Sequence, residues 1–296
     1  MLLSWLVEEI DAGHKLGDYL RSEKGFSRRL LKVMKNVPGH LLVNKEPEPV
    51  HFVLSAGDVI DCIFPEEEKG EHLTAETMPL QILFEDESVL IVVKPAGIAS
   101  IPSRDHLNGT LANGVLAHFN KLRLTSTVHI VTRLDRDTSG LVLIAKHRYA
   151  HALLAASQKE GAIQRTYTAI VQGSVTDEKG TINLPIGRKE GSIIERKVSN
   201  DGKPAITHYE KISDLKGHTL LSINLETGRT HQIRVHFSHI GHPLAGDVLY
   251  GGSDELLDNQ ALHCSKLSFH HPITKEKLTF QVEMPADMQR FIHQNS

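Results

Sequence analysis

The chain has 296 residues, 40% of them hydrophobic and 23% charged, which excludes a disordered chain and leaves material for two unequal globular domains. Its formal charge is −3, from 33 Lys+Arg against 36 Asp+Glu, so no overall basic excess marks it as a nucleic-acid binder. Two cysteines, Cys62 and Cys264, exclude a disulfide framework, and no CxxC pair points to zinc.

The start, Met1 to Val7, is briefly apolar but runs into Glu8 and Glu9 without a basic leader, so it does not read as a signal peptide. No apolar run reaches the length of a membrane span. A soluble, reduced, cytoplasmic protein is the expectation.

Residues 13–64 read as a compact unit. Leu16, Tyr19 and Leu20 recur at helical spacing, and Ser27 can cap a second helix carrying Arg28, Arg29, Leu30, Leu31, Lys32, Val33 and Met34. A turn at Pro38-Gly39, a strand over Leu41–Asn44 and a turn at Gly57-Asp58 feeding a β-rich run close it. Residues 13–45 hold eight Lys/Arg against two acids, Asp18 and Glu23. Such a local excess attracts a phosphate backbone whatever the net charge. The acidic stretch 66–79 reads as a linker, which divides the chain into 1–65 and 80–296.

Beyond residue 80, short apolar runs dominate: 81–84, 89–93, 141–145, 168–171, 220–225 and 278–282. Helical patterns intervene at 110–122 and 147–159. Many strands with few helices, not strictly alternating, predict an α+β domain on a central mixed, mainly antiparallel sheet flanked by helices and loops.

Two stretches carry most of the chemistry. Arg133-Leu134-Asp135-Arg136-Asp137-Thr138-Ser139-Gly140 places two cations, two carboxylates and two hydroxyls before a buried strand, as an active-site loop does. On composition alone the plainer reading is a solvated turn built by Thr138-Ser139-Gly140. The second stretch runs from Glu226 to His236 and offers the planar forks of Arg229 and Arg234 to carboxylates or phosphates. Its plain reading is a surface loop with ordinary salt bridges. Asp135 and Asp137 invite a two-carboxylate glycosidase reading. Asp137 is nevertheless taken as structural, leaving Asp135 as the single candidate carboxylate. The clustered His231, His236, His239 and His242 suggest a metal, but the spacing is not HExxH.

The first stretch closely resembles the catalytic signature of RNA pseudouridine synthases of the large-subunit rRNA type (RluA/RluD-like). Further landmarks follow in the family's order: Ile82 to Asp86, Val92 to Gly97, Thr110 to Asn113, Arg165 to Ala169, Thr227 to His236, and Gly241 to Tyr250. The resemblance spans nearly all of 80–285. It implies the pseudouridine synthase fold and cofactor-free, metal-free isomerisation of uridine within RNA. Residues 1–65 resemble an S4 domain, an RNA-binding module, through Ser27-Arg28, Val43-Asn44 and Gly57-Asp58. By this resemblance Asp135 is the nucleophile or base and Arg234 pairs with it. Tyr167 lies against the uracil, by stacking or by helping remove the C5 proton, and Arg133 fills the space of a flipped base. Arg229 contacts phosphate, and Ser27, Arg28, Arg29 and Lys32 hold neighbouring phosphates.

Thr132 stands where the family often has His, and Ile101-Pro102 where it often has His-Pro, which touches the subgroup and not the aspartate. The expected target is 23S rRNA, with tRNA possible, and the expected state is a monomer with no membrane contact and no small-molecule cofactor. Two other classes compete: a non-catalytic S4-containing ribosome-assembly factor, and a carboxylate hydrolase of small nucleosides or sugars.

Overall fold

The computed structural model describes residues 1–37, 39–67, 73–103, 107–252 and 257–296. Pro38 of the expected turn and residues 68–72 of the expected linker lie outside them.

The N-terminal part is a four-stranded antiparallel sheet with two helices. In spatial order the strands are Leu2–Leu6, Val59–Ile63, Leu41–Val43 and Glu46–Pro47. The helices are Leu16–Ser22 and Arg28–Lys35. Ser27 caps the second helix, its hydroxyl accepting from the Leu30 amide at 3.1 Å. Leu30, Leu31 and Met34 face inward against Leu16, Tyr19, Leu20 and Ile60. Arg28, Arg29 and Lys32 lie on the exposed face of the same helix. The opening apolar run is a strand of this sheet rather than a loose start. The Asn44-Lys45 turn holds both residues at positive φ (52° and 70°), as a two-residue hairpin requires. The Asn44 side chain donates to Asp58 Oδ1 at 2.8 Å and accepts from the Val59 amide at 2.9 Å. Two of the S4-like landmarks are therefore one joint.

Among the described residues of the larger part, ten strands form one sheet. The main path runs Lys179–Asn183, Ile206–Leu215, His218–Leu225, Gln164–Gln172, Leu262–His270, Ser139–Ala145, Val89–Lys94 and Gln81–Glu85. Lys277–Gln281 and His129–Ile130 add to it. Every pairing is antiparallel except that of Leu262–His270 with Ser139–Ala145, so the sheet is mixed and the fold is α+β. Helices Leu111–Lys121 and Arg148–Lys159 start at Thr110 and His147, which cap them as side chains. Strand Ser139–Ala145 is buried along its whole length and forms the core with Val89 to Val92, Phe119 and Leu267.

The acidic segment is not loose where it is described. The Glu67 carboxylate accepts from the Arg148 amide at 2.6 Å and from His129 Nε2 at 2.6 Å. Asn113 donates to the Thr74 carbonyl at 2.8 Å, and Glu76 accepts from the Gly109 amide at 2.9 Å. Low apolar periodicity gives no sign of such polar anchoring, which is why composition reads the segment as a tether.

Candidate active site

The loop between strands His129–Ile130 and Ser139–Ala145 carries Arg133 to Asp137, and its backbone is fastened on several sides. The Thr132 hydroxyl accepts from the Leu143 amide at 2.9 Å. The residue that departs from the family pattern thus stitches the loop to the next strand. The Ser100 hydroxyl donates to the Leu134 carbonyl at 2.7 Å and accepts from the Leu134 amide at 3.0 Å. Gln260 donates to the Thr138 hydroxyl at 3.0 Å. Gly140 closes the loop at φ +116°, where the parallel strands meet. A Cβ there would stand 2.3 Å from the Cys264 carbonyl oxygen, so only glycine fits.

Lys94 is the residue that sequence reasoning missed. Its ammonium is fully buried and donates to the carbonyls of Pro95 and Ile98, both at 2.8 Å, and of Arg136 at 2.9 Å. It holds the loop from beneath, one residue from Asp135. Burial pushes its pKa down to about 7, while the negative fields of Asp137 and Asp135 oppose the fall. The signals in the sequence were its place at the end of the apolar run Val89 to Val93, where a charge is costly without partners, and within the landmark Val92 to Gly97.

Asp135 keeps 26% of its side chain exposed. It opens into a cleft of about 1390 Å³ also lined by Arg133, Arg165, Tyr167, Arg229 and Arg234. Arg234 Nη1 stands 3.5 Å from Asp135 Oδ2. The expected pair is present, but it is not the strongest bond of this arginine. The fork of Arg234 closes on Asp247, with Nε to Oδ2 at 2.7 Å and Nη2 to Oδ1 at 2.8 Å. Its guanidinium also faces the Tyr250 ring at 4.9 Å. Burial works against the charge of Arg234, and the bond to Asp247 and the fields of Asp247 and Asp135 outweigh it, so the pKa is raised. Asp247 therefore leaves one Nη1 edge of the arginine for Asp135. Asp137 turns aside and takes Arg136, with Nε at 2.9 Å and Nη2 at 3.1 Å.

Tyr167 comes from strand Gln164–Gln172 and is buried. Its phenol oxygen accepts from Arg165 Nη1 at 3.1 Å. Burial raises its pKa despite the field of Arg165. The phenol is thus protonated at neutral pH, and to take a proton it must first pass its own on. Arg229 lies on the exposed rim with Nε donating to the Pro204 carbonyl at 2.9 Å. Arg133 is exposed in the cleft and makes no ion pair among the described residues.

The stretch after strand His218–Leu225 becomes helix Gln232–His239, entered through His231 in the left-handed region (φ 57°). That turn brings His231 Nδ1 within 2.8 Å of the Tyr250 hydroxyl. Burial lowers the His231 pKa, with Asp135 opposing and Arg234 and Arg196 reinforcing. The other clustered histidines diverge. His236 bonds to Thr207 Oγ1 and the Leu184 carbonyl, both at 2.9 Å, and His242 to the Gln172 carbonyl at 2.9 Å. His236 and His242 are thus satisfied within the fold, and no group of three or more residues suited to a metal occurs among the described residues.

Basic groups around one partly exposed, arginine-backed carboxylate suit a polyanionic substrate that presents a single reacting unit. The sequence relationships agree. The family model for RNA pseudouridylate synthase matches residues 88–239. The uncharacterized RNA pseudouridine synthase YjbO of Bacillus subtilis is 48% identical over 270 residues, which is 91% of this chain and 95% of that one. The ribosomal large subunit pseudouridine synthase D of Pseudomonas aeruginosa is 40% identical over 236 residues, covering 75% of this chain and 73% of that one. In shape, the human RNA pseudouridylate synthase domain containing 1 overlays with a TM-score of 0.58 at 22% identity, covering 74% of this chain and 87% of that one, a likeness of fold. The chain belongs to the RNA pseudouridylate synthase family and is an isomerase that converts uridine in RNA to pseudouridine.

Proposed function

We propose that this enzyme modifies uridines of large-subunit ribosomal RNA with Asp135 as its catalytic carboxylate. The observation that carries the reading is the position of Asp135, partly exposed in the cleft with the remaining edge of Arg234 upon it. The reaction breaks the bond from C1′ to N1, rotates the uracil, and joins C1′ to C5. The C5 proton is lost and N1 gains one, so the atoms balance without a second substrate. Asp135 starts the cleavage as nucleophile or base. Arg234, fixed by Asp247, keeps a positive edge against that carboxylate. Tyr167 lies against the uracil ring, and Arg133 fills the stack that the flipped base leaves.

Arg229 and the S4-like residues Ser27, Arg28, Arg29 and Lys32 hold phosphates and set affinity rather than base identity. Of these, Ser27 acts through the helix that it caps. The target class is supported by the relative from Pseudomonas aeruginosa, whose name places it on the large ribosomal subunit. A monomer in the cytoplasm completes the reading. Among the described residues, no helix is long and apolar enough to cross a membrane.

The test is a map of pseudouridines in total RNA from cells lacking the protein, rescued with wild type or Asp135→Asn. The reading expects specific sites in large-subunit rRNA to vanish and only wild type to restore them. Restoration by the Asn variant would remove Asp135 from the chemistry, and loss confined to tRNA would move the target.

A further inference from the structure

The helix Arg148–Lys159 joins two places that matter to an RNA. Its first turns lie in the core of the N-terminal unit, where Tyr149 is buried with Leu153 packed beside it. The Tyr149 ring stands 4.8 Å from Phe26, 5.3 Å from Phe64 and 6.4 Å from Trp5. Its hydroxyl donates to the Lys24 carbonyl at 2.5 Å. Gly25, at φ +70°, passes so close that a Cβ would stand 2.5 Å from Leu153 Cδ2. Glu67 ties the departing chain to the first amide of the same helix. At its other end, Gln158 and Lys159 line the cleft that holds Asp135.

Parts of one chain move relative to each other unless the interface between them is extensive and apolar. Here Tyr149, with Leu153 and Ile273 beside it, is built into the apolar core of the N-terminal unit itself. Basic groups begin at this seam, because Arg21 and Arg28 share a surface depression with Phe26. A twelve-residue helix spans about 18 Å. The basic N-terminal face and the catalytic cleft are thus set at opposite ends of one rigid strut.

We infer that the Tyr149–Leu153 seam is a specificity determinant, fixing the N-terminal unit as a gauge that selects the uridine lying at a set distance from an RNA phosphate contact. This rests on the proposed rRNA-modifying function. With the unit fixed, a uridine enters the cleft only when the RNA fold presents both contacts together. With the unit loosened, the cleft keeps its chemistry and loses its geometric filter.

Two variants loosen the seam from the catalytic side, Tyr149→Ser and Leu153→Lys. The second places a charge at a half-buried position and leaves the core of each part intact. Nitroxide labels on Lys35→Cys and Lys159→Cys report the separation, since native Cys62 and Cys264 are buried. Wild type should give one narrow distance, and Leu153→Lys a broad distribution with unchanged far-UV circular dichroism. In the pseudouridine map, the loosened variants should lose at least tenfold at native sites within intact rRNA. On a short hairpin around a mapped uridine, their kcat/KM should stay within about threefold of wild type. A broad distance in wild type, or loosened variants with wild-type site choice and rate, overturns the gauge. Wild type that restores no pseudouridine at all would instead sink the function on which the gauge rests.

Discussion

Lys94→Met separates the two consequences of burying an ammonium beneath the loop that carries Asp135. In wild type the lysine pKa falls from 10.5 to about 7 through burial. At ~1.36 kcal/mol per pH unit, that fall corresponds to a folding penalty of about 5 kcal/mol when the group is charged. The penalty is fully present below pH 7. Between pH 7 and 10.5 the native state sheds the proton while the unfolded chain keeps it. The unfolded state then binds more protons, so stability rises with pH. Methionine removes the penalty but strands the carbonyls of Pro95, Ile98 and Arg136, at about 1–3 kcal/mol each. At pH 6 these effects largely offset each other. By pH 9 wild type has recovered roughly 3 kcal/mol that the variant cannot. Urea unfolding followed by far-UV circular dichroism at pH 6 to 9 measures this. The stability gap between the two proteins should widen by that amount in favour of wild type. A gap constant across the range would show that Lys94 does not titrate there and would refute the reasoning. Independently, kcat should fall by about 10²-fold, because the loop loses an anchor one residue from Asp135 and an ångström of misplacement has that effect.

Arg234→Lys cannot grip Asp247 with two parallel bonds while still touching Asp135. It should cost on the order of 10²-fold in kcat and roughly 3 kcal/mol in stability, read by single-turnover kinetics and chemical denaturation. Gly140→Ala should destabilise by at least about 3 kcal/mol, since the positive φ and the Cys264 carbonyl both oppose a Cβ; a thermal melt within a degree of wild type would contradict the packing described. Replacing Arg28, Arg29 and Lys32 together by alanine should weaken binding to all RNA sequences alike. It should lower the slope of log affinity against log salt by about 2, as for three lost phosphate contacts.

Asp135, Tyr167 and Arg234 could be singled out as candidates because each sits inside a long ordered motif, and all three line one cleft. The capping position Ser27 was legible because a helix start is a local matter of one hydroxyl and one amide. Strand Leu262–His270 was not. It lies at the centre of the sheet, but its alternation is broken by Ser265 and Lys266, and its burial comes from neighbours on both sides. Helix Gln232–His239 was hidden likewise, because its buried face includes Gln232, Arg234 and His236, whose partners are distant in sequence.

The sequence by itself determined the many short strands with few helices, the basic helix at the N-terminus and the choice of Asp135 as the candidate carboxylate. These follow from periodicity, local charge and an ordered motif. Only the tertiary structure decided that Asp247 holds the fork of Arg234 and that Lys94 fastens the loop from below. It alone joins the N-terminal unit to the body through Tyr149. Each of those bonds links residues far apart along the chain or depends on burial that they do not create themselves. A buried charge declares its partners only when the fold removes the water around it.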